Sequence, residues 1–518
     1  MKNRTSSKAV RTISFMAVII FCAKIMGLLR ETLIASIYGQ GFRSDILNTA
    51  TQIPLLFFDM TLGVAILSTF VPVFNTFLER DGKMRAMKFA NSFLATVILI
   101  SSIATIIGTI FAPSLVRLMV PGYWGEKVAA TAALLRILFP SIIFTAAAYT
   151  AVGILQSFGE FNIPSIISVV SNLIMILYLV FIGDRFGLVG VAISMVVAWC
   201  SQLIVQIPHL IKCGWRWSFG FSLRDEGIRD AAKLALPVLI SSWIQPLCVV
   251  INMAFSSSMG DGAVSGLNWA NKIYIIMVGV FAYAVTNFIF PRLSRLGSGS
   301  NSDEFKETTR LSLGWIVFII AYVSAMFIAL SKPIIKIIFE YGAFSAENTK
   351  TTAEALLFYS FGMVGYAICE ILNKSFYALR DGKTPMFTAA FGIFINLISA
   401  FVFVKLFKMG IGGLALASAV SSLVMALVLL YMINKKESGT ITRKFIKNAA
   451  KAVASAIVCG FVSFALYEIL SPSEMGRIAN FIFCGASAGI GLILYLTLGY
   501  FLKLDEFDQI RRFIHHEK

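Results

Sequence analysis

Apolar runs of about 20 residues or longer recur along the whole chain, separated by short polar stretches. Each is long enough to cross about 30 Å of hydrocarbon at roughly 1.5 Å per residue. No water is present in the bilayer core, so backbone N–H and C=O groups must pair within their own segment, and such runs predict helices. The ten-residue alternation of a membrane β-barrel is not visible. Fourteen spans are expected, at 12–38, 46–78, 87–112, 129–155, 162–183, 188–211, 231–256, 264–291, 311–331, 351–378, 385–404, 410–433, 448–470 and 478–502. The predicted fold class is an all-α polytopic membrane protein. Basic residues before the first run give it the outline of a signal peptide. No small-residue cleavage site follows, and Lys24 and Arg30 interrupt the run, so it reads as a retained first span.

Composition agrees: 58% of residues are hydrophobic and 14% charged. The net charge of +17 could point to nucleic acid, but the basic residues form no single long tract and cluster between apolar runs. Of the 44 Lys and Arg residues, 29 fall on connections sharing a side with both termini, 10 on the opposite side and 5 within spans. The positive-inside rule then places both termini in the cytoplasm and excludes nucleic acid as the partner the charge serves. The seven cysteines are scattered and form no ligand motif, so they read as small buried hydrophobes, with no metal site.

Landmarks recur at offsets of 219 to 224 residues: Pro72 with Pro291, Pro113 with Pro333, Pro164 with Pro385, Gly190 with Gly413, and Asn172 with Asn396. They suggest two pseudo-twofold-related six-helix lobes followed by two C-terminal helices. With an even number of spans each, the repeats are parallel, an arrangement that lets two lobes rock about a shared cavity. The domain reading is an N-lobe at 1–211, a basic cytoplasmic linker at 212–230, a C-lobe at 231–433, a basic loop at 434–447, helices 13 and 14 at 448–502, and a tail at 503–518. Trp215, Trp217 and Phe219 give the linker a membrane-interface character, and both basic segments suit anionic membrane lipids.

The five intramembrane cations are the first functional candidates, because a charge in hydrocarbon costs at least a few kcal/mol without solvent, partner or polar substrate. Lys24 and Arg30 in span 1 offer anion sites, with Glu31 placed to tune or release them. Lys24 and Glu31, seven apart, share a face, whereas Arg30 and Glu31 diverge by about 100°. The alternative is an internal ion pair with Asp45 or Asp59. In span 2, Asp45 is a candidate gate or helix cap, Asn48 lies one turn on, and Asp59 is a candidate counter-ion or proton-linked group. Span 8 contributes Trp269, Asn271 and Lys272, and span 4 contributes Arg136. Glu370 and Lys374, one turn apart, are expected to form a salt bridge that compensates charge. Asn252 and Asn396 read as core hydrogen-bonding groups. No phosphate loop, hydrolase motif or nucleophile triad is visible, which argues against ATP hydrolysis and enzymatic chemistry.

The segments Gly27-Leu28-Leu29-Arg30-Glu31, Ser44-Asp45 with Ile53-Pro54, Phe70-Val71-Pro72-Val73-Phe74, and Gly266 to Lys272 with Phe290-Pro291-Arg292-Leu293-Ser294 resemble the MurJ family of lipid II flippases. This family belongs to the multidrug/oligosaccharidyl-lipid/polysaccharide exporter superfamily. The likeness runs through the whole chain. It implies alternating-access export of an undecaprenyl-pyrophosphate-linked peptidoglycan precursor across a bacterial cytoplasmic membrane, in support of cell-wall biogenesis and cell shape. It also implies that cell-wall synthesis machinery is a partner, that no cofactor is needed, and that transport is coupled to membrane potential or a monovalent cation. The family's span 1 cations fall on Lys24 and Arg30, its following acid on Glu31, its outer aspartate on Asp45 and its span 8 arginine on Lys272. A second-helix arginine of many members falls on Asp59, reversing its charge, and the acid of a proposed cation site falls on Asn252. A flippase for O-antigen or a sporulation-related glycan is the alternative. A drug/cation antiporter fits less well, since cationic drugs favour a carboxylate-rich cavity.

Overall fold

A computed structural model describes residues 2–63, 66–218, 226–232, 244–297, 302–470 and 476–507. Parts of the expected linker (219–225), seventh span (233–243) and tail (508–518) lie outside the described residues. Every regular element among the described residues is helical. Among the described residues ten helices are long and apolar enough to cross a membrane, and the pair Ala346–Ser360 and Met363–Ala378, bent by 47°, makes up to eleven. These match the expected spans 3 to 6 and 8 to 14. The first expected span lies in the helix Lys2–Tyr38, the second is interrupted, and the described part of the seventh is the shorter helix Ile244–Ser257.

The chain forms two compact units, Met1–Val264 and Ser265–Lys518. The first contains α1 (Lys2–Tyr38), α2 (Phe42–Phe58), α3 (Val71–Arg80), α4 (Gly82–Ile110), α5 (Ala112–Met119), α6 (Glu126–Leu138), α7 (Ser141–Ser157), α8 (Asn162–Phe181), α9 (Gly187–Ile204), α10 (Ile207–Lys212) and α11 (Ile244–Ser257). Two π-helical turns, Asp59–Gly63 and Ile66–Phe70, lie between α2 and α3. Their local cause is legible. Pro54 removes a backbone donor from α2, and Thr61 Oγ1 donates to the carbonyl of Phe57 (2.6 Å). The ring of Phe58 lies 2.8 Å from where a Cβ at Gly63 would sit, so a side chain there would force the ring to move. Phe70 and Phe74 are fully buried, and Phe70 packs on Phe93 (centroids 4.8 Å) and Phe89 (5.6 Å). The Phe-Val-Pro-Val-Phe signature is therefore a core motif. Residues 216 and 218 of the linker fold back on α4, where Asn91 donates to the Arg216 carbonyl and Ser218 Oγ.

The second unit holds most of α12 (Ala263–Gly297), then α13 (Ser302–Ala329), α14 (Ser331–Phe339), α15 (Ala346–Ser360), α16 (Met363–Ala378), α17 (Lys383–Phe401), α18 (Gly410–Lys436), α19 (Arg443–Leu470) and α20 (Arg477–Phe501). The bent α15–α16 pair lies directly on α18: a Cβ at Gly362 would sit 2.6 Å from Ala419 Cα, and one at Gly365 2.8 Å from the Leu423 nitrogen. On the other side of α13, Phe318 stacks on Tyr495 (4.9 Å), whose hydroxyl donates to the Phe318 carbonyl at 2.8 Å. That contact locks α20 to α13. Many large apolar side chains point outward, among them Ile110, Phe181, Phe461 and Ile493. So much exposed hydrocarbon is unsustainable in water and suits lipid. This is a multi-pass membrane protein.

Candidate functional site

The intramembrane charge of the first unit is organised around two nodes. At the first, Arg30 is half-buried on α1. Its Nη1 donates to Asn172 Oδ1 of α8 (3.0 Å) and its Nη2 to Glu31 Oε1 (2.7 Å), with Glu31 buried. The 100° divergence expected from helix geometry does not keep the two residues apart, because the guanidinium reaches around the helix to its neighbour. Asn172 also donates to the carbonyl of Ala23 (3.3 Å), so one amide fixes both the cation and the seat of α1 on α8. Arg30 Nε is buried without a hydrogen-bond partner among the described residues. Lys24 is exposed on the same helix, with no ion pair to another described residue. The unit thus presents one open ammonium and one guanidinium whose charge is balanced by an internal carboxylate. An arriving anion can compete with that carboxylate.

The second node lies at the Gly41 end of α2 and involves a residue that sequence reasoning missed. Asp45 is fully buried, and its Oδ2 accepts from Lys127 Nζ of α6 (2.8 Å) and from the Gly262 N–H (2.8 Å). The same ammonium donates to Asp261 Oδ1 (2.7 Å) and lies 4.3 Å from the centroid of the Tyr123 ring. Gly260 and Gly262 have positive φ, +105° and +87°, which only glycine adopts without strain. The turn they form therefore brings Asp261 and the Gly262 amide to α2 and α6. Gln40 closes the turn by donating to the Gly262 carbonyl (2.9 Å), and Ser257 accepts from the Gly122 N–H (3.0 Å). These bonds hold α11 and its turn in the first unit. Asp45 does not cap α2, whose N-cap is Gly41, and it pairs with neither Lys24 nor Arg30. The cue in the sequence was Lys127 at the start of an apolar run, which looks like one more topology charge.

Other candidates fall elsewhere. Asn48 Nδ2 bonds back to the Ser44 carbonyl of its own helix (2.9 Å), so its donor serves α2. Arg136 Nε donates to the Thr109 carbonyl near the end of α4 (3.3 Å), a position where a cation offsets the helix dipole. Asp59 opens the first π-helical turn and lines a cavity with residues of α7 and α9.

In the second unit, Lys272 and Asn271 are half-buried on α12. Trp269 is fully buried between the rings of Phe339 and Phe344, each 5.6 Å away, so its indole is core and presents no face to a substrate. The salt bridge expected between Glu370 and Lys374 does not form. Tyr366 hydrogen-bonds Glu370, and the Lys374 ammonium lies 5.5 Å from the Phe290 ring centroid. Asn396 donates to Ser418 of α18 (3.2 Å), and Asn252, in the first unit, is half-buried on α11. No group of three or more His, Cys, Asp or Glu residues placed to hold a metal occurs among the described residues.

A bundle of apolar helices with internally balanced charge buried among them suits a membrane transporter. The folds it resembles are of that class. A lipid II flippase MurJ structure in an inward closed conformation covers 99% of its own length and 95% of this chain at a TM-score of 0.79 and 23% identity. An inward-facing multidrug resistance MATE family transporter of the MOP superfamily covers 98% and 82% at 0.67 and 17% identity. In sequence, a protein of Buchnera aphidicola subsp. Schizaphis graminum named "Probable lipid II flippase MurJ" is 26% identical over 490 residues, 93% of this chain and 94% of its own. "Lipid II flippase MurJ" of Burkholderia cenocepacia is 26% identical over 423 residues, 80% and 81% of the two chains. The family model described as "Lipid II flippase MurJ" matches residues 34–475, and the chain belongs to this family.

Proposed function

We propose that this chain is a lipid II flippase that carries undecaprenyl-pyrophosphate-linked disaccharide pentapeptide from the inner to the outer leaflet of the bacterial cytoplasmic membrane. It acts by alternating access without hydrolysing ATP. The observation that carries the reading is the Arg30 guanidinium, half-buried in an apolar helix and balanced by Glu31. Desolvated in this way, a cation attracts an anion far more strongly than it would in water. The fork geometry of arginine suits a pyrophosphate.

In this account Lys24, Arg30 and Lys272 are the cations that bind the pyrophosphate, and the substrate displaces Glu31 from Arg30. Return of Glu31 releases the substrate in the other state. Some such exchange is required, since a ligand bound equally in both states shifts no population. The finer architecture belongs to the same proposal. It comprises fourteen spans in two six-helix repeats plus two terminal helices, both termini cytoplasmic, energy drawn from membrane potential or a monovalent cation, and contact with cell-wall synthesis machinery.

The test is replacement in a bacterium whose own lipid II export can be switched off. The native chain restores growth, and Arg30→Gln at equal membrane abundance fails to. Growth unaffected by Arg30→Gln, or no rescue by an abundant native chain, contradicts the proposal.

A further inference from the structure

The cavity beside Asp59 has no part in gripping a pyrophosphate, because its charge has the wrong sign. Its volume is about 100 Å³, it is open on one side, and its polar wall is Asp59, Ser141, Thr145, Tyr149 and Gln202. Asp59 is exposed to this space and has neither an ion pair nor a hydrogen bond among the described residues. Among the described residues no Lys, Arg, His or second acid lines the cavity, and the other ionisable group on its wall is the Tyr149 phenol.

Two of the neighbouring polar groups have a donor engaged elsewhere and offer acceptors. Ser141 Oγ spends its proton on the Leu138 carbonyl (2.5 Å), leaving lone pairs for the cavity. Gln202 Nε2 donates to Ser171 (3.0 Å), leaving Oε1. The rings of Phe58 and Tyr149, edge to face at 5.3 Å, and the Trp199 indole complete the wall. An acidic, acceptor-rich cavity with aromatic walls in an apolar helix bundle selects a cation. The space has room for a small ion with a few waters. The site begins at the π-helical turn, a feature that frequently marks functional positions within helices.

We propose that Asp59 and this cavity form a binding site in the first unit for a small monovalent cation, an alkali ion or a proton taken up by the carboxylate. Its use as the coupling ion of transport rests on the flippase reading above, but the existence of the site does not. The carboxylate therefore replaces Asn252 as the place where a cation would be taken up.

The experiment uses the purified full chain in detergent, free of substrate. Binding of radiolabelled sodium is measured against choline at constant ionic strength, and proton uptake is followed by the carboxyl infrared band across a pH titration. Three chains are compared: native, Asp59→Asn and Thr145→Val, the last keeping the charge while removing one wall oxygen. Saturable sodium binding that falls at least about tenfold in Asp59→Asn and less in Thr145→Val supports the site with an alkali ion as occupant. Absence of sodium binding together with a titrating carboxyl band that vanishes in Asp59→Asn supports it with a proton. Sodium binding and proton uptake unchanged in Asp59→Asn, in a chain that elutes and melts like the native one, overturns the proposal. Because no lipid is transported in these measurements, their outcome is independent of the flippase reading.

Discussion

Arg30 and Lys127 show how differently two buried cations register in a sequence. Arg30 interrupts an apolar run well inside a span, where its cost is evident, and its candidacy followed at once. Lys127 stands at the start of α6, where a lysine ordinarily reaches solvent, and only the Gly260–Gly262 turn, folded over from far along the chain, buries it between two aspartates. Trp269 and Asn48 are placed by packing that the sequence does not display: the indole is buried, and the amide bonds its own helix. The Lys127 node makes a quantitative prediction. Lys127→Met strips the ammonium from the fully buried Asp45, and removing one partner of a buried pair costs about 3–5 kcal/mol. Asp261→Asn alters only the exposed arm and costs about 1 kcal/mol or less. Thermal inactivation of the two variants in detergent should show a clearly larger drop for Lys127→Met, and equal drops would refute the burial argument.

At the scale of elements, hydropathy located eleven of the spans because a run of apolar residues is a sufficient condition for a membrane helix. It did not reveal the interruption of the second. Residues 46–78 remain apolar through the π-helical turns, and the break arises from Pro54, Gly63 and the Phe58 ring, which composition does not weigh. The bend between α15 and α16 is similar, for Gly362 and Gly365 are there to let backbones meet. Gly365→Ala would drive a methyl into the Leu423 backbone and should lower stability by about 1–3 kcal/mol. Gly485→Ala, with open space around it in α20, should leave stability unchanged or raise it by up to about 1 kcal/mol. Melting the two variants side by side checks both signs.

The start of α17 is held by Asp381, which accepts the Thr384 N–H (3.0 Å) and hydroxyl (2.9 Å) and Lys436 Nζ of α18 (2.7 Å). Partial burial raises its pKa, but Lys436 and the Thr384 donors outweigh it and hold the carboxyl at about 2. A folded-state pKa below the unfolded one stabilises fully above the unfolded value, near 4, and the gain fades as pH falls toward 2. The stability advantage of the native chain over Asp381→Asn should therefore be constant above about pH 5 and shrink below 4. A gap independent of pH would argue against a stabilising role for these contacts.

At the scale of the molecule, the paired landmarks at offsets of 219 to 224 residues suggest a repeat, which belongs to the proposal. The ionic node and the glycine turn tie α11 to the first compact unit, which runs to Val264. Long-range ties of this kind leave no periodic trace in a sequence. The central claim is that the charges on α1 move a pyrophosphate-linked lipid between leaflets. Its most direct test is leaflet transfer of labelled lipid II in proteoliposomes under imposed membrane potentials and ion gradients, with the native chain compared with Arg30→Gln, Glu31→Gln and Lys272→Gln at matched insertion. The account predicts transfer by the native chain, loss with either cation neutralised, and slowed turnover with tighter retention of substrate in Glu31→Gln. Native transfer that survives neutralisation of both Arg30 and Lys272, or no native transfer under any gradient, would contradict it.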